Sequence, residues 1–565
     1  MWLSFKIFLA ICVIAVKSND DLKVCLNNLG CLLGSEMPGY SGANFEAFLG
    51  VPYAKPPTGD LRFRNPQPIE PWQGVMPAQE AKPDCKQRNY LIPHWPIVGD
   101  EDCLYMNIYR PKGATEKPLP VIFYIYGGGF FSGSSNPSIM GPEYFMDTRE
   151  VLVVVITYRL GPFGFLSSGC SEIPGNFGLK DQLMALKWVN EHIASFGGDP
   201  KEITLFGHSA GASAVHFHMI NPKTKGLFKR AILSSGNALA PYVGILDKPL
   251  EQMHTIAQAL GIDAALTQNT KDLADKLRTL DANAILHAGD SLKFWSNNIL
   301  FNYRPVIEDP SDTNSYLIEH PHETIRQGNY DLKPWLTGLV SYKGEGAAIS
   351  LNIYDNQTLR AELNGNFDEK LMKLLDIKSA EKFNRFIEEY MQGVHELNEN
   401  TGDGFLELFS DYYFYYPVYK TLKHYFDYAD IAKSPVYIYK FSYHGPYTYV
   451  PVYTGGSTNR YDVVHFDDLL YQFRQSALFP DFEKESIDAK LSKEFVDILL
   501  GFVKSGKPLH YDDIGSCTKE QFLTSGSKGL CNYLEFINSD DGYKRVANNS
   551  FHFDRMKLWD DVMTY

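Results

Sequence analysis

The stretch from Lys201 to Ile220, KEITLFGHSAGASAVHFHMI, limits the possible folds more than any other part of the chain. Glu202 to Phe206 is a short, mostly apolar and β-branched run that reads as a buried strand. Ala210 to Ile220 reads as a helix, which Asn221 and Pro222 stop. Gly207-His208-Ser209-Ala210-Gly211 must join the two through a sharp turn. Gly207 and Gly211 lack the Cβ atoms that would collide there, so Ser209 can be held in a strained conformation with its hydroxyl projecting from the sheet. A G-x-S-x-G string is weak alone, since Gly and Ser near about 7% each supply roughly 0.2 chance matches in a chain of this size. The small residues Ala210, Gly211, Ala212 and Ser213 let a helix pack close to a strand and strengthen the reading of a nucleophile elbow.

The flanking sequence supplies the rest of such a sheet. Pro120 to Tyr126 and Val151 to Tyr158 are continuous apolar runs typical of strands buried on both faces, and Gln182 to Ser195 reads as a helix. Pro334 to Val340 and Val436 to Phe441 read as further strands. Strands alternating with helices predict an α/β fold: a central, mostly parallel sheet covered by helices on both faces, with long insertions. Asp368 to Leu397 and Glu483 to Val503 carry amphipathic helical patterning and read as packing faces. Asp411 to Pro417 is strongly aromatic and reads as core, part of it available to line an apolar gorge. Phe48 to Phe63 is too proline-rich for a central strand or helix and is expected to wrap the surface. No low-complexity stretch, charge block or internal repeat divides the chain, so residues 19–565 are expected to form one domain.

Lys6 followed by the apolar run Ile7 to Val16 has the form of a secretory signal peptide, residues 1–18, with cleavage near Ser18. No later run reaches about 18 uninterrupted apolar residues, so an extracellular protein without a stable membrane anchor is expected. One of the eight cysteines, Cys12, falls in that leader. Among the rest, an oxidising compartment favours the sequence-local pairs Cys85 with Cys103, Cys517 with Cys531 and Cys25 with Cys31. Cys170 is left as the candidate free thiol, or as a small buried residue. Asn356 and Asn548 begin N-glycosylation sequons. A net charge of -14 argues against nucleic acid or an anionic membrane surface as partner.

A serine hydroxyl needs a base to take its proton and a third group to orient that base. On a sheet of this type the acid and then the histidine follow the nucleophile. His465, just before a helical run beginning near Asp467, is the best-placed base. His216 and His218 lie on the elbow's own helix, where i and i+2 face apart, a spacing that also argues against a metal pair. His208 is expected to shape the pocket. Glu345 follows an apolar strand and is the candidate acid, an ordinary solvated glutamate being the alternative. Asp467 and Asp468 read as helix N-terminal residues. Backbone N–H groups of Gly128, Gly129 and Ala210 can stabilise the negative charge that attack places on a carbonyl oxygen. A phosphate loop is disfavoured, because the Gly-Lys-Ser/Thr ending and the G-x-G-x-x-G spacing are both missing. The Cys85 to Cys103 loop is expected at the rim of the site.

Eight blocks, in order, resemble the type-B carboxylesterase and cholinesterase family of α/β-hydrolases over nearly the whole mature length. They are FLGVPYAKPPTGDLRF from Phe48, EDCLYMN from Glu101, YGGGFFSG from Tyr126, YRLGPFGFL from Tyr158, GNFGLKDQLMALKWV from Gly175, FGGDPKEITLFGHSAGAS from Phe196, GLVSYKGEG from Gly338 and HFDDLLY from His465. The resemblance implies Ser209 as nucleophile, His465 as base, Glu345 as orienting acid and Gly128, Gly129 and Ala210 as oxyanion donors. It supports the Cys85–Cys103 disulfide, needs no cofactor or metal, and implies a small-molecule ester as partner, with a monomer or weak homodimer expected. GHSAGASAVHFHM looks most like secreted insect carboxylesterases of the β-esterase and antennal or integumental types. Tyr126 is shared with cholinesterases, but Trp95 does not match the choline-binding offset and His208 stands where those enzymes carry an acid, so choline esters are disfavoured. A juvenile-hormone esterase is the alternative, although that group usually shows Gln at the position of His208. A catalytically inactive adhesion protein of the same fold is the rival of another class. Phe130, His208 and Phe466 are the expected pocket residues. Phe466 departs from the family's usual Gly or Ala, so its ring is expected to narrow the gorge or shift His465.

Overall fold

The computed structural model describes residues 22–113, 116–263, 266, 268–295, 302–459, 461–524, 531–549, 551 and 555–563. The expected leader, residues 1–18, lies outside the described residues. In chain order the first strands are β1 (Lys23–Leu26), β2 (Gly30–Leu33), β3 (Ser35–Pro38), β4 (Asn44–Pro52), β5 (Val75–Pro77), β6 (Tyr105–Pro111) and β7 (Leu119–Ile125). They are followed by β8 (Leu152–Ile156), β9 (Gly198–His208), β10 (Arg230–Ser234), β11 (Trp335–Val340), β12 (Val436–Ser442), β13 (Tyr533–Ser539) and β14 (Gly542–Asn548). β1, β2 and β5 make a small separate sheet, and the other strands form one large sheet in the order β14-β13-β12-β11-β10-β9-β7-β8-β6-β4-β3.

Its middle, from β8 through β7, β9, β10, β11 and β12 to β13, is parallel, while β3, β4, β6 and β14 are antiparallel additions. Every residue of β8, β10 and β11 is buried. That burial explains why these strands read as continuous apolar runs rather than alternating ones. Three of the covering helices are α1 (Phe177–His192), α2 (Ala210–Ile220) and α3 (Ile487–Ser505), and α2 and α3 both pack on β7 and β9. The fold is that of an α/β-hydrolase, with a large mixed sheet under many helices. No helix of the described residues is long and apolar enough to cross a membrane.

Two sequence expectations need correction. The segment from Phe48 does not wrap the surface at first, because Phe48 to Pro52 belong to the buried β4. The register against β6 shifts between Phe48 and Val51, and Gly50, at φ +69°, donates instead to Asn107 Oδ1 at 2.9 Å. This bulge and a proline at the strand's end let a proline-rich run enter the sheet. Asp368 to Leu397 is not one helix but two, Phe367–Leu374 and Ala380–Met391, separated at Asp376, whose φ is +47°. Ser379 then caps the second by accepting from Lys382 N.

The aromatic run Asp411–Tyr415 is a π-helical turn, wholly buried, within a helical stretch from Gly402 to Tyr428. The wider turn fits Pro417, which cannot donate to an ordinary α-helical ladder. Disulfides join Cys25 to Cys31, Cys85 to Cys103 and Cys517 to Cys531, and Cys170 is free and exposed. Asn356 is exposed, and its Oδ1 caps the helix Gln357–Asn364. Asn548 is exposed too, with Nδ2 donating to Glu535 Oε2 at 2.9 Å.

Candidate active site

Parallel pairing sets the C-terminal ends of β7, β9, β11 and β12 along one edge of the sheet, where α/β proteins collect their functional loops. Ser209 follows β9 directly. It adopts φ 57°, ψ -126°, a conformation rarely tolerated by a residue with a side chain. Two close approaches explain how it is held. A Cβ on Gly207 would lie 2.3 Å from Gly211 O, and one on Gly211 would lie 2.1 Å from Ile125 O. Ser209 N donates to Ser234 O at 2.8 Å, tying the elbow to β10, and Ser209 O accepts from Ser213 N at 3.0 Å.

The glycine loop after β7 runs beside this turn: a Cβ on Gly127 would lie 2.7 Å from the Cβ of Ser209. Gly128 and Gly129 have φ of +116° and +62°. Phe131 N and Ser132 N close on Gly128 O at 3.1 and 3.0 Å. Among the described residues, neither Gly128 N nor Gly129 N donates to a protein acceptor. Ala210 opens α2, so its N–H belongs to the group at a helix start that lacks an intrahelical acceptor.

Glu345 is fully buried beyond β11. Its Oε2 accepts from Val340 N at 2.5 Å and its Oε1 meets His465 Nδ1 at 2.8 Å. The solvated-glutamate alternative is thereby excluded. His465 N donates to Gly344 O at 3.0 Å, and its carbonyl accepts from Tyr453 OH at 2.9 Å. The ring lies between Phe414 and His208, at centroid distances of 4.8 and 4.9 Å. Burial holds the His465 imidazole below the ordinary histidine value, with Glu345 opposing that effect. Glu345 occupies Nδ1, so Nε2 is the nitrogen left to act as a base.

The expected pocket residues fare differently. Phe130, directly after the glycine loop, is fully buried and stacks on Phe165 at 4.5 Å. His208 is likewise fully buried, with Nε2 3.2 Å from Asp468 Oδ1. Phe466 keeps partial exposure. It sits at φ +77°, and its ring lies 4.3 Å from that of His208 and 5.3 Å from that of Tyr449. The Glu345–His465 contact is present beside it. The Cys85–Cys103 loop contributes Arg88, Tyr90, Trp95 and neighbouring residues to a cavity of about 590 Å³ shared with Asn352 and Asn356. Tyr90 connects that cavity to the glycine loop through Phe131, 5.4 Å between rings.

Sequence reading missed several neighbours. Asp468 does open a short 3-10 helix, Asp467–Tyr471, but is fully buried and binds His208, Tyr439 and Gln472. Asp467 accepts from Tyr449 N, Val464 N and Thr448 Oγ1, tying together the loop before His465. Tyr242 is buried with its hydroxyl 3.2 Å from Ser213 Oγ, on the helix that follows the elbow. His216 and His218 are buried elsewhere, the latter between Gln182 and Tyr316.

Comparison with known proteins agrees with this architecture. The model of the carboxylesterase family matches residues 20–551. A carboxylic ester hydrolase of Bombus ignitus is 37% identical over 96% of this chain and 95% of its own. A juvenile hormone esterase of Tribolium castaneum is 36% identical over 85% of this chain and 83% of its own. The crystal structure of juvenile hormone esterase from Manduca sexta, with OTFP covalently attached, superposes with a TM-score of 0.80 at 26% identity, covering 96% of this chain and 99% of that one. This chain therefore belongs to the carboxylesterase family and is a carboxylic ester hydrolase of the α/β-hydrolase fold.

Proposed function

We propose that this protein is an exported serine esterase that hydrolyses small esters with apolar acyl or alcohol groups through an acyl-enzyme. The observation that carries the reading is the buried 2.8 Å contact between Glu345 and His465, at the same edge of the sheet as the strained Ser209. Ser209 Oγ attacks the ester carbonyl and His465 Nε2 takes its proton. The N–H groups of Gly128, Gly129 and Ala210 receive the negative charge, and removing one such donor costs about 2.7 to 4 kcal/mol in a measured enzyme. The protonated histidine then releases the alcohol, and a water deprotonated by the same nitrogen frees the acid. Phe414, Tyr242 and Phe466 supply an apolar surround. Export is supported by the leader-like start and the three disulfides.

The test is turnover of p-nitrophenyl and naphthyl esters, together with covalent labelling by an organophosphate. Wild-type protein should turn over and label at Ser209, and Ser209→Ala should fold but not label. Labelling retained by that variant would place the nucleophile elsewhere. A second reading, hydrolysis of juvenile hormone, is favoured by the relatives that carry that name. A substrate series including juvenile hormone, short acetates and acylcholines separates the two.

A further inference from the structure

A second histidine–carboxylate couple is buried directly behind the first. His208 and Asp468 have no solvent exposure, and Nε2 and Oδ1 lie 3.2 Å apart. The other oxygen of Asp468 accepts from Tyr439 OH at 2.9 Å and Gln472 Nε2 at 3.3 Å. Tyr439 OH in turn meets Ser234 Oγ at 2.7 Å, on the residue whose carbonyl holds Ser209 N. The ring of His208 is 4.9 Å from that of His465, and Phe466 closes over it at 4.3 Å.

Burial alone would raise the Asp468 carboxyl. The His208 imidazole, followed by the Tyr439 hydroxyl, outweighs that effect and leaves the group below the usual carboxylate range, so Asp468 is an anion. An anion fixed in a dry interior favours formation of the imidazolium on a neighbouring histidine, and at His465 this pull of Asp468 works against a larger push in the other direction from His208.

We propose that His208 and Asp468 are positioning residues for the esterase reaction. Asp468 fixes the plane of the His208 ring and lends negative field to His465, while the His208 ring and Phe466 hold the imidazole of His465 in place. This rests on the reading of Ser209 and His465 given above. Several other groups face the couple. Tyr439 from β12, Tyr124 from β7, and Tyr449 and Tyr453, at the start of and within the short helix Val450–Thr454, are phenols that burial pushes upward, so they stay neutral. Glu345 acts from the far side of His465. Asp467, on the same turn, is pushed by burial up to about 7, and it is retained in every variant below.

The experiment compares Asp468→Asn and His208→Gln with wild type in the pH profile of kcat/KM for a p-nitrophenyl ester, alongside thermal unfolding and organophosphate labelling. Asp468→Asn removes the anion. The acidic limb should move to lower pH by about half a unit or more, with kcat reduced about tenfold and KM nearly unchanged. His208→Gln keeps a donor for Asp468 and loses the ring, so kcat should fall by a similar factor while the limb moves to higher pH, because His208 no longer opposes protonation of His465. If Asp468→Asn does not fold, Asp468→Glu with the limb retained and His208→Gln with the limb raised carry the test, both with kcat lowered. Folded variants that keep wild-type kcat and limb would overturn the proposal, as would activity losses that track only the loss of thermal stability. Wild-type protein that neither turns over nor labels would overturn the underlying esterase reading instead.

Discussion

Glu345 Oε1 and His465 Nδ1 meet at 2.8 Å across 120 residues of sequence. Both side chains are almost completely buried, and the second oxygen of Glu345 is held by the backbone of β11 through Val340 N. The acid is therefore fixed by the sheet, and the histidine is oriented by the acid.

Replacing Glu345 with Gln keeps the shape but offers an amide where the histidine needs an anion. The expected result is a fall in kcat of about 10⁴-fold, by analogy with the equivalent change in a serine protease triad. Circular dichroism should remain that of wild type, and stopped-flow hydrolysis of a p-nitrophenyl ester measures the loss.

The acid limb of the pH–rate profile follows from the environment of His465. Its pKa is lowered by burial, so the neutral, base-competent imidazole persists as the pH falls. The limb of kcat/KM in the wild-type enzyme should lie below 6.5, the ordinary histidine value. A limb at or above that value would contradict this account of the site.

Gly211→Ala is expected to be costly even though alanine is a good helix former. Its Cβ would lie 2.1 Å from Ile125 O and 2.6 Å from Tyr126 O, both backbone atoms that cannot swing aside. Overpacking of this kind costs about 1–3 kcal/mol or more. Urea unfolding should show that loss, and labelling of Ser209 should slow because the elbow must shift.

Phe466 offers a cleaner comparison. At φ +77° any side chain is strained, so Phe466→Gly and Phe466→Ala lose the same ring but only the glycine relieves the backbone. The glycine variant should be the more stable of the two by about 1 kcal/mol. Equal midpoints in chemical denaturation would show that the positive φ is not strained here.

The elbow was legible in sequence because its determinants are local: strand, glycines and helix all lie within Lys201 to Ile220. The parallel strands were legible for a similar reason, since burial on both faces leaves a continuous apolar signature. Asp468 was not, because its partner His208 lies 260 residues away and a carboxylate at a helix start has a sufficient local explanation. Phe130 and His208 adjoin the glycine loop and the nucleophile in sequence, but their contacts with Phe165 and Asp468 were not legible, because a sequence neighbour says nothing about which distant segment a side chain meets. The β4 misreading has the same origin: a bulge that admits a proline-rich run is a property of two paired strands, not of one.

The strand order has one more consequence. The glycine loop, the serine, the acid and the histidine follow β7, β9, β11 and β12, strands whose assembly into one sheet requires chain from both halves of the molecule. A polypeptide truncated before residue 465 would hold Ser209 and Glu345 but lack the histidine that meets Glu345. The candidate site is therefore a property of the assembled sheet and not of any one segment of the chain.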